Sequence, residues 1–118
     1  MLCPHVGSQG KKQEIVELIN TARAVDRNCG DQYYKAVPPI KWNEILSEAA
    51  MKHSTDMATN RFFSHTGSDG SSPDDRARAA GYNGYAGENI SRGINTSEEA
   101  VRVWLDSPGH CANIMNPY

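Results

Sequence analysis

Leu, Ile, Val and Phe together supply only nineteen of the 118 residues, about 16%, a level at which chains commonly fail to bury enough apolar surface to fold. What keeps this chain among the folded proteins is its charge. Twelve Lys and Arg stand against fourteen Asp and Glu, a net of −2, so a thin core has little self-repulsion to overcome. The length fits one domain of ordinary size. With a mean hydropathy of −0.63 and no basic excess, the chain offers no field for nucleic acid or anionic lipid, and neither partner is expected. No apolar stretch approaches the ~20 residues of a bilayer helix, so no membrane span is expected either.

Apolar residues recurring every three or four positions show where the core is placed. Ile15, Val16, Leu18, Ile19, Ala22 and Val25 predict a first helix over 11–25, with Lys11, Lys12, Glu14, Glu17 and Arg23 elsewhere around the turn. Asn28-Cys29-Gly30-Asp31 ends it, and a polar loop containing tyrosines runs to Val37-Pro38-Pro39, where paired prolines exclude helix and central strand alike. Trp42, Ile45, Leu46, Ala49, Ala50, His53, Met57 and Ala58 form the clearest stripe and predict a helix over 43–60. Arg61 to Thr66 then enters the glycine and serine loop 67–71. Ser72-Pro73-Asp74-Asp75 has a capping hydroxyl, a proline at the first helical position and two acids on the positive end of the dipole, and predicts a short third helix that stops at Gly81. Thr96-Ser97-Glu98-Glu99 is a capping box opening a helix that turns Ala100, Val101, Trp104 and Leu105 inward, with Pro108-Gly109 as its end. Glu88-Asn89-Ile90-Ser91 is the one strand-like stretch.

Four histidines and three cysteines carry whatever chemistry the chain has. His5 stands in the leader, and His53 lies on the apolar stripe of the second helix, where a packed, hydrogen-bonded imidazole is the simpler reading. His65 and His110 stand where elements end, beside Ser, Thr, Gly or Pro, and packing does not need them there. Imidazoles are the commonest metal ligands and a carboxylate commonly orients the ring, for which Glu88 is the best placed acid. These residues are 23 and 22 positions apart, unlike the paired spacings of structural zinc sites, so any site has to be assembled by the fold. On spacing alone an ordinary polar surface is the simpler reading. Cys3, Cys29 and Cys111 make neither a zinc knuckle nor a C-x-x-C motif, and the simplest count is one pair and one odd thiol. Asp69, Asp74 and Asp75 lack the alternation of a calcium loop and read as a solvated loop and helix cap. Met1 to Lys12 has no apolar region of a signal peptide, so either an export leader lies outside this sequence or the protein stays inside.

Four segments in order carry a resemblance. His53-Ser54-x-Asp56-Met57-Ala58, then Phe62 through Pro73, then Gly87-Glu88-Asn89-Ile90, then Trp104-x-x-Ser107-Pro108-Gly109-His110-Cys111-x-Asn113-Ile114-Met115-Asn116-Pro117 resemble the bacterial, SCP-like branch of the CAP superfamily, which also holds the cysteine-rich secretory and plant pathogenesis-related proteins. The resemblance runs from about residue 12 to the end. It implies a flexible leader over 1–11 and a domain over 12–118 of α+β class, an α-β-α sandwich that is helix-dominated here because family members carry further strands after the Asn-Pro motif; the fold is therefore expected to be incomplete at its C-terminus.

The resemblance also implies a cleft binding zinc or another divalent cation through His65 and His110, with Glu88 as the first acid. The second acid of other branches falls at Ser107, leaving Asp106 as its candidate. It further implies a Cys29 to Cys111 disulfide, which removes Cys111 as a nucleophile, and an extracellular or cell-envelope location. The function it implies is a binding or interaction module for an unidentified protein, cell-wall or lipid ligand. The rivals are a sterol or fatty-acid binder without catalysis and a metal-dependent, peptidase-like hydrolase, for which Glu88, His65 and His110 would be the catalytic set.

Overall fold

The computed structural model describes residues 9–118. The leader over 1–11, with Cys3 and His5, lies outside these residues except that positions 9–11 already open the first helix. The described elements are α1 (Gln9–Arg23), β1 (Arg27–Cys29), β2 (Gln32–Tyr34), α2 (Glu44–Asn60), α3 (Pro73–Ala80), α4 (Ser97–Leu105) and α5 (Pro108–Ile114). The fold is helix-dominated α+β, as the resemblance implied. Contacts divide it into two units, residues 43–92 and residues 9–42 with 93–118.

In the second of these units α1 packs on α4 and α5. Ile15, Ile19 and Ala22 from α1, Ala100, Val101 and Trp104 from α4, and Cys111, Ile114 and Met115 from the last segment are all buried. The stripes read from the sequence supply six of these nine residues, and Val16, Leu18 and Leu105 of the same stripes are half-buried. Val25 is exposed because α1 ends two residues before it. Arg23 is buried instead of solvated: its Nε donates to Pro38 O at 2.8 Å, and its Nη1 donates to Ile114 O and Asn116 O, both at 2.7 Å. The cation thus ends α1 by fastening the proline loop and the C-terminal turn to it.

The stretch expected to be loop after α1 is a hairpin. β1 pairs antiparallel with β2, Arg27 opposite Tyr34 and Cys29 opposite Gln32, around a two-residue turn at Gly30-Asp31. Glycine is needed at the first turn position for two reasons: φ there is +61°, and a Cβ would stand 2.9 Å from Pro108 Cγ. Conversely, Glu88-Asn89-Ile90-Ser91 forms no strand among the described residues, only an isolated bridge at Asn89. Pro108-Gly109 does not follow the end of α4 passively. Asp106 caps α4, and Pro108 is the first residue of α5, a position proline tolerates because its missing N–H has no intrahelical partner there. His110 is therefore a helical residue of α5 and not a loop residue. Cys29 and Cys111 form a disulfide with Cα atoms 5.4 Å apart, tying β1 to α5.

In the first unit α2 packs on α3. Asn43 caps α2, accepting from Leu46 N at 3.0 Å. Ala49, Ala50, His53 and Met57 of α2 are buried, as are Ala77 of α3 and Ala86, Glu88, Asn89 and Ile90, while Ile45 and Ala58 of the expected stripe are exposed. The α3 cap is a full capping box, with Asp75 N on Ser72 Oγ at 3.1 Å and Ser72 N on Asp75 Oδ2 at 2.9 Å. The helix stops at Gly81 as expected.

Candidate functional site

The site in residues 43–92 begins where α2 ends. Arg61 closes the helix in the left-handed region at φ 55°, a conformation that costs a residue with a side chain roughly 1–2 kcal/mol. The turn sends Phe62 to His65 back along α2. There His53, fully buried, donates from Nε2 to Ser64 O at 2.7 Å, because a carbonyl only accepts. This is the packed, hydrogen-bonded histidine the stripe suggested, and it holds the segment that carries His65.

The following loop is braced by its own polar groups. Ser68 donates from Oγ and N to Asp56, at 2.6 and 2.9 Å, and Gly67 N donates to Ser71 O at 2.9 Å. A Cβ on Gly67 would lie 2.6 Å from Ser71 Oγ and 3.0 Å from Asp69 Oδ1, so a larger residue here would have to turn those two side-chain ends aside. The hydroxyl and amide of Ser68 hold the Asp56 carboxyl below the usual range for aspartate. Asp69 and Asp75 are lowered likewise, by hydrogen bonds from Ser71 and from Ser72. Asp69 and Asp75, with Asp74 accepting from Ala86 N, therefore act in local loop and cap contacts, as the reading of these three as a solvated loop and helix cap anticipated.

Glu88 enters from the 86–90 segment, which Asp74 of α3 steadies by accepting from Ala86 N at 3.3 Å. Its side chain is 2% exposed. Oε1 accepts from His65 Nδ1 at 2.8 Å, and Oε2 accepts from Arg76 Nη2 at 2.8 Å. His53 Nε2 lies 4.0 Å from the same Oε1. A buried carboxylate needs such partners to remain charged. His65 itself is 52% exposed along its side chain. Since a carboxylate can only accept, Nδ1 carries the proton, and in the neutral ring Nε2 then carries the lone pair.

Of the residues singled out in the sequence, the structure brings His65 and Glu88 into direct contact. His110 lies in the first turn of α5, beside the disulfide-bonded Cys111. Asp106 lines a groove of about 380 Å³ between α1 and α4, together with Leu18, Arg27, Arg102 and Leu105. Arg76 was missed altogether.

Whether these residues suit a divalent ion follows from their bonding. An imidazole whose Nδ1–H is held by a carboxylate is the usual arrangement of a zinc-binding histidine, and His65 makes that contact. Glu88 has both oxygens engaged, which suits it to orienting the ring and not to ligating. Among the described residues no group of three or more His, Cys, Asp or Glu is assembled that could hold a metal ion. An ion here would complete its shell with water or with a ligand.

The chain is 35% identical over 107 residues to the uncharacterized protein YkwD of Bacillus subtilis (strain 168), covering 90% of this chain and 38% of that protein. It is also 35% identical over 78 residues to the uncharacterized membrane protein YlbC of the same organism, covering 65% of this chain and 22% of that protein. The chain thus spans well under half the length of these relatives. No solved structure matches it significantly, and among the described residues no helix is long and apolar enough to cross a membrane. A family profile described as "CAP: Cysteine-rich secretory protein family" matches residues 16–118, and together with the identity to YkwD this shows that the chain belongs to the CAP family, in its bacterial, SCP-like branch.

Proposed function

We propose that this CAP domain is a secreted or cell-envelope binding module that takes up a divalent cation, zinc first, at His65, with Glu88 orienting the His65 ring. The observation that carries this reading is the buried Glu88 carboxylate on His65 Nδ1 at 2.8 Å. That bond leaves Nε2, on a half-exposed ring, as a lone pair available to a ligand. When bound, the ion supplies a positive centre with open positions, to which an anionic or carbonyl group of a partner can attach. The protein's own residues hold and orient, and Glu88 keeps the tautomer. The Cys29–Cys111 disulfide supports placement in an oxidising compartment.

Calorimetric titration of the 118-residue protein with zinc, beside a His65→Ala variant, tests the reading. Saturable heat is expected from the wild type and not from the variant. Equal heats from both, or none from either, would overturn it.

A further inference from the structure

Glu88 orients His65, but nothing in a carboxylate's own chemistry fixes which way it faces, because its two oxygens are equivalent. The group that breaks this symmetry is the guanidinium of Arg76. Arg76 is the fourth residue of α3, whose start is fixed by Pro73 and the Ser72/Asp75 capping box, and its side chain is 10% exposed. Nη2 donates to Glu88 Oε2 at 2.8 Å and also to the main-chain oxygen of His65 at 2.9 Å. Nη1 donates to Ser71 O at 2.8 Å and to Ser71 Oγ at 3.3 Å. One planar, rigid fork therefore holds the acid that binds the ring, the backbone that bears the ring, and the far end of the loop between them. A lysine, with one point charge on a flexible stem, cannot reproduce that set.

We propose that Arg76 is the positioning residue of this site: by claiming one oxygen of Glu88 it commits the other to His65 Nδ1, and so fixes His65 as the Nδ1–H tautomer with Nε2 turned outward. The positioning itself stands apart from the cation reading, and only its use in ligand capture rests on that reading. Arg76 would touch no ligand. Its effect passes through Glu88 and through the His65 carbonyl.

The donor and acceptor inventory makes the claim testable in a way that simple bracing would not. Glu88→Gln keeps the shape but leaves one oxygen and one NH2 group. Arg76, a donor only, takes the oxygen, so the amide NH2 faces His65 Nδ1. Nδ1 must then carry the lone pair, and the ring is forced into the Nε2–H tautomer. If Arg76 does not command the carboxylate, the amide is free to turn its oxygen to His65, and the wild-type tautomer persists.

The experiment is long-range 1H–15N correlation on the histidine side chains of the whole 118-residue protein, at a pH where the imidazoles are neutral. Wild type is expected to show His65 almost wholly as Nδ1–H, and Glu88→Gln almost wholly as Nε2–H. In Arg76→Gln the freed carboxylate turns and His65 moves to a mixture, while Arg76→Lys keeps more of the Nδ1–H form than Arg76→Gln does. A Glu88→Gln protein that retains the Nδ1–H ring overturns the proposal. So does an Arg76→Gln protein that is less stable than wild type yet has an unchanged His65 tautomer, since that is bracing alone. If Arg76→Gln does not fold, the near-isosteric Glu88→Gln variant decides by itself. Zinc added to the same samples separates the two readings: a tautomer switch without zinc-induced shifts in wild type keeps the positioning role and removes the cation. A wild-type His65 in the Nδ1–H form that shifts with zinc, beside a Glu88→Gln protein that retains the Nδ1–H ring, does the reverse.

Discussion

Replacing both bridged cysteines by alanine, Cys29→Ala/Cys111→Ala, should remove a large share of this domain's stability. The bridge spans 82 positions, and in the chain-entropy model closing a loop of that size restricts the unfolded state by about 4.5 kcal/mol at 25 °C. Loss of two buried sulfurs adds about 1–2 kcal/mol. A domain of this length has about 6–18 kcal/mol in all, and one this poor in large aliphatic residues belongs at the lower end. With a urea dependence of ~1.5 kcal/mol/M, the midpoint should fall by about 3 M or more. The mechanism has a second signature: an unbridged unfolded chain is more expanded and exposes more surface, so the slope m should rise in the variant. Urea titration followed by tryptophan fluorescence and far-ultraviolet circular dichroism measures both quantities. Because Cys111 is completely buried, reductant should act on the wild type slowly in buffer and quickly in urea. A loss under about 2 kcal/mol with unchanged m would refute the reasoning, and would mean that the hairpin and α5 hold one another without the covalent tie.

Arg23→Met should cost about 2–4 kcal/mol, because it strands the carbonyls of Pro38, Ile114 and Asn116, and Arg23→Lys should recover part of that; urea midpoints decide, and a neutral Arg23→Met would show that water replaces the guanidinium without loss. Asp56, lowered first by the Ser68 hydroxyl and then by the Ser68 amide, contributes stability that is present above the ordinary aspartate value of about 3.9 and is lost as pH falls through its folded value. Asp56→Asn should therefore flatten the acid limb below about pH 4, which melting curves taken in pH steps would show; an unchanged limb would assign that limb to other carboxyls.

The parts of the fold legible in the sequence are those decided by local chemistry. Thr96, Ser72 and Pro73 announce α4 and α3 because a capping oxygen and a fixed proline φ act on their own few residues. The stripe of α2 is legible because Ala49, Ala50, His53 and Met57 repeat at helical intervals. The hairpin was missed for an identifiable reason: Arg-Asn-Cys and Gln-Tyr-Tyr lack any apolar alternation, and only the Gly30-Asp31 turn marks them. The partner that makes this hairpin worth forming is Cys111, 82 positions away. Arg23 was misplaced by the same limit. Nothing near it in the chain shows that three carbonyls converge on its side chain.

The site follows a different logic, in which the sequence states a need without naming what meets it. An acid between Gly87 and Asn89 in a near-apolar stretch is headed for burial, and a buried carboxylate must find donors. His65, 23 residues away, and Arg76, 12 residues away, meet that need, although Arg78 and Arg92 both stand nearer along the chain. The choice among them is made by α3. Its cap fixes the helical phase, so that position 76 faces Glu88 while position 78 pairs with Asp75 in solvent, and Arg92 lies instead over the Phe63 ring. A Ser72→Ala change, which touches no group in the site, should therefore loosen the His65 tautomer slightly through α3 and Arg76. The orientation of the imidazole would then depend on a helix cap that sequence reading had already located, without giving any reason to connect the two.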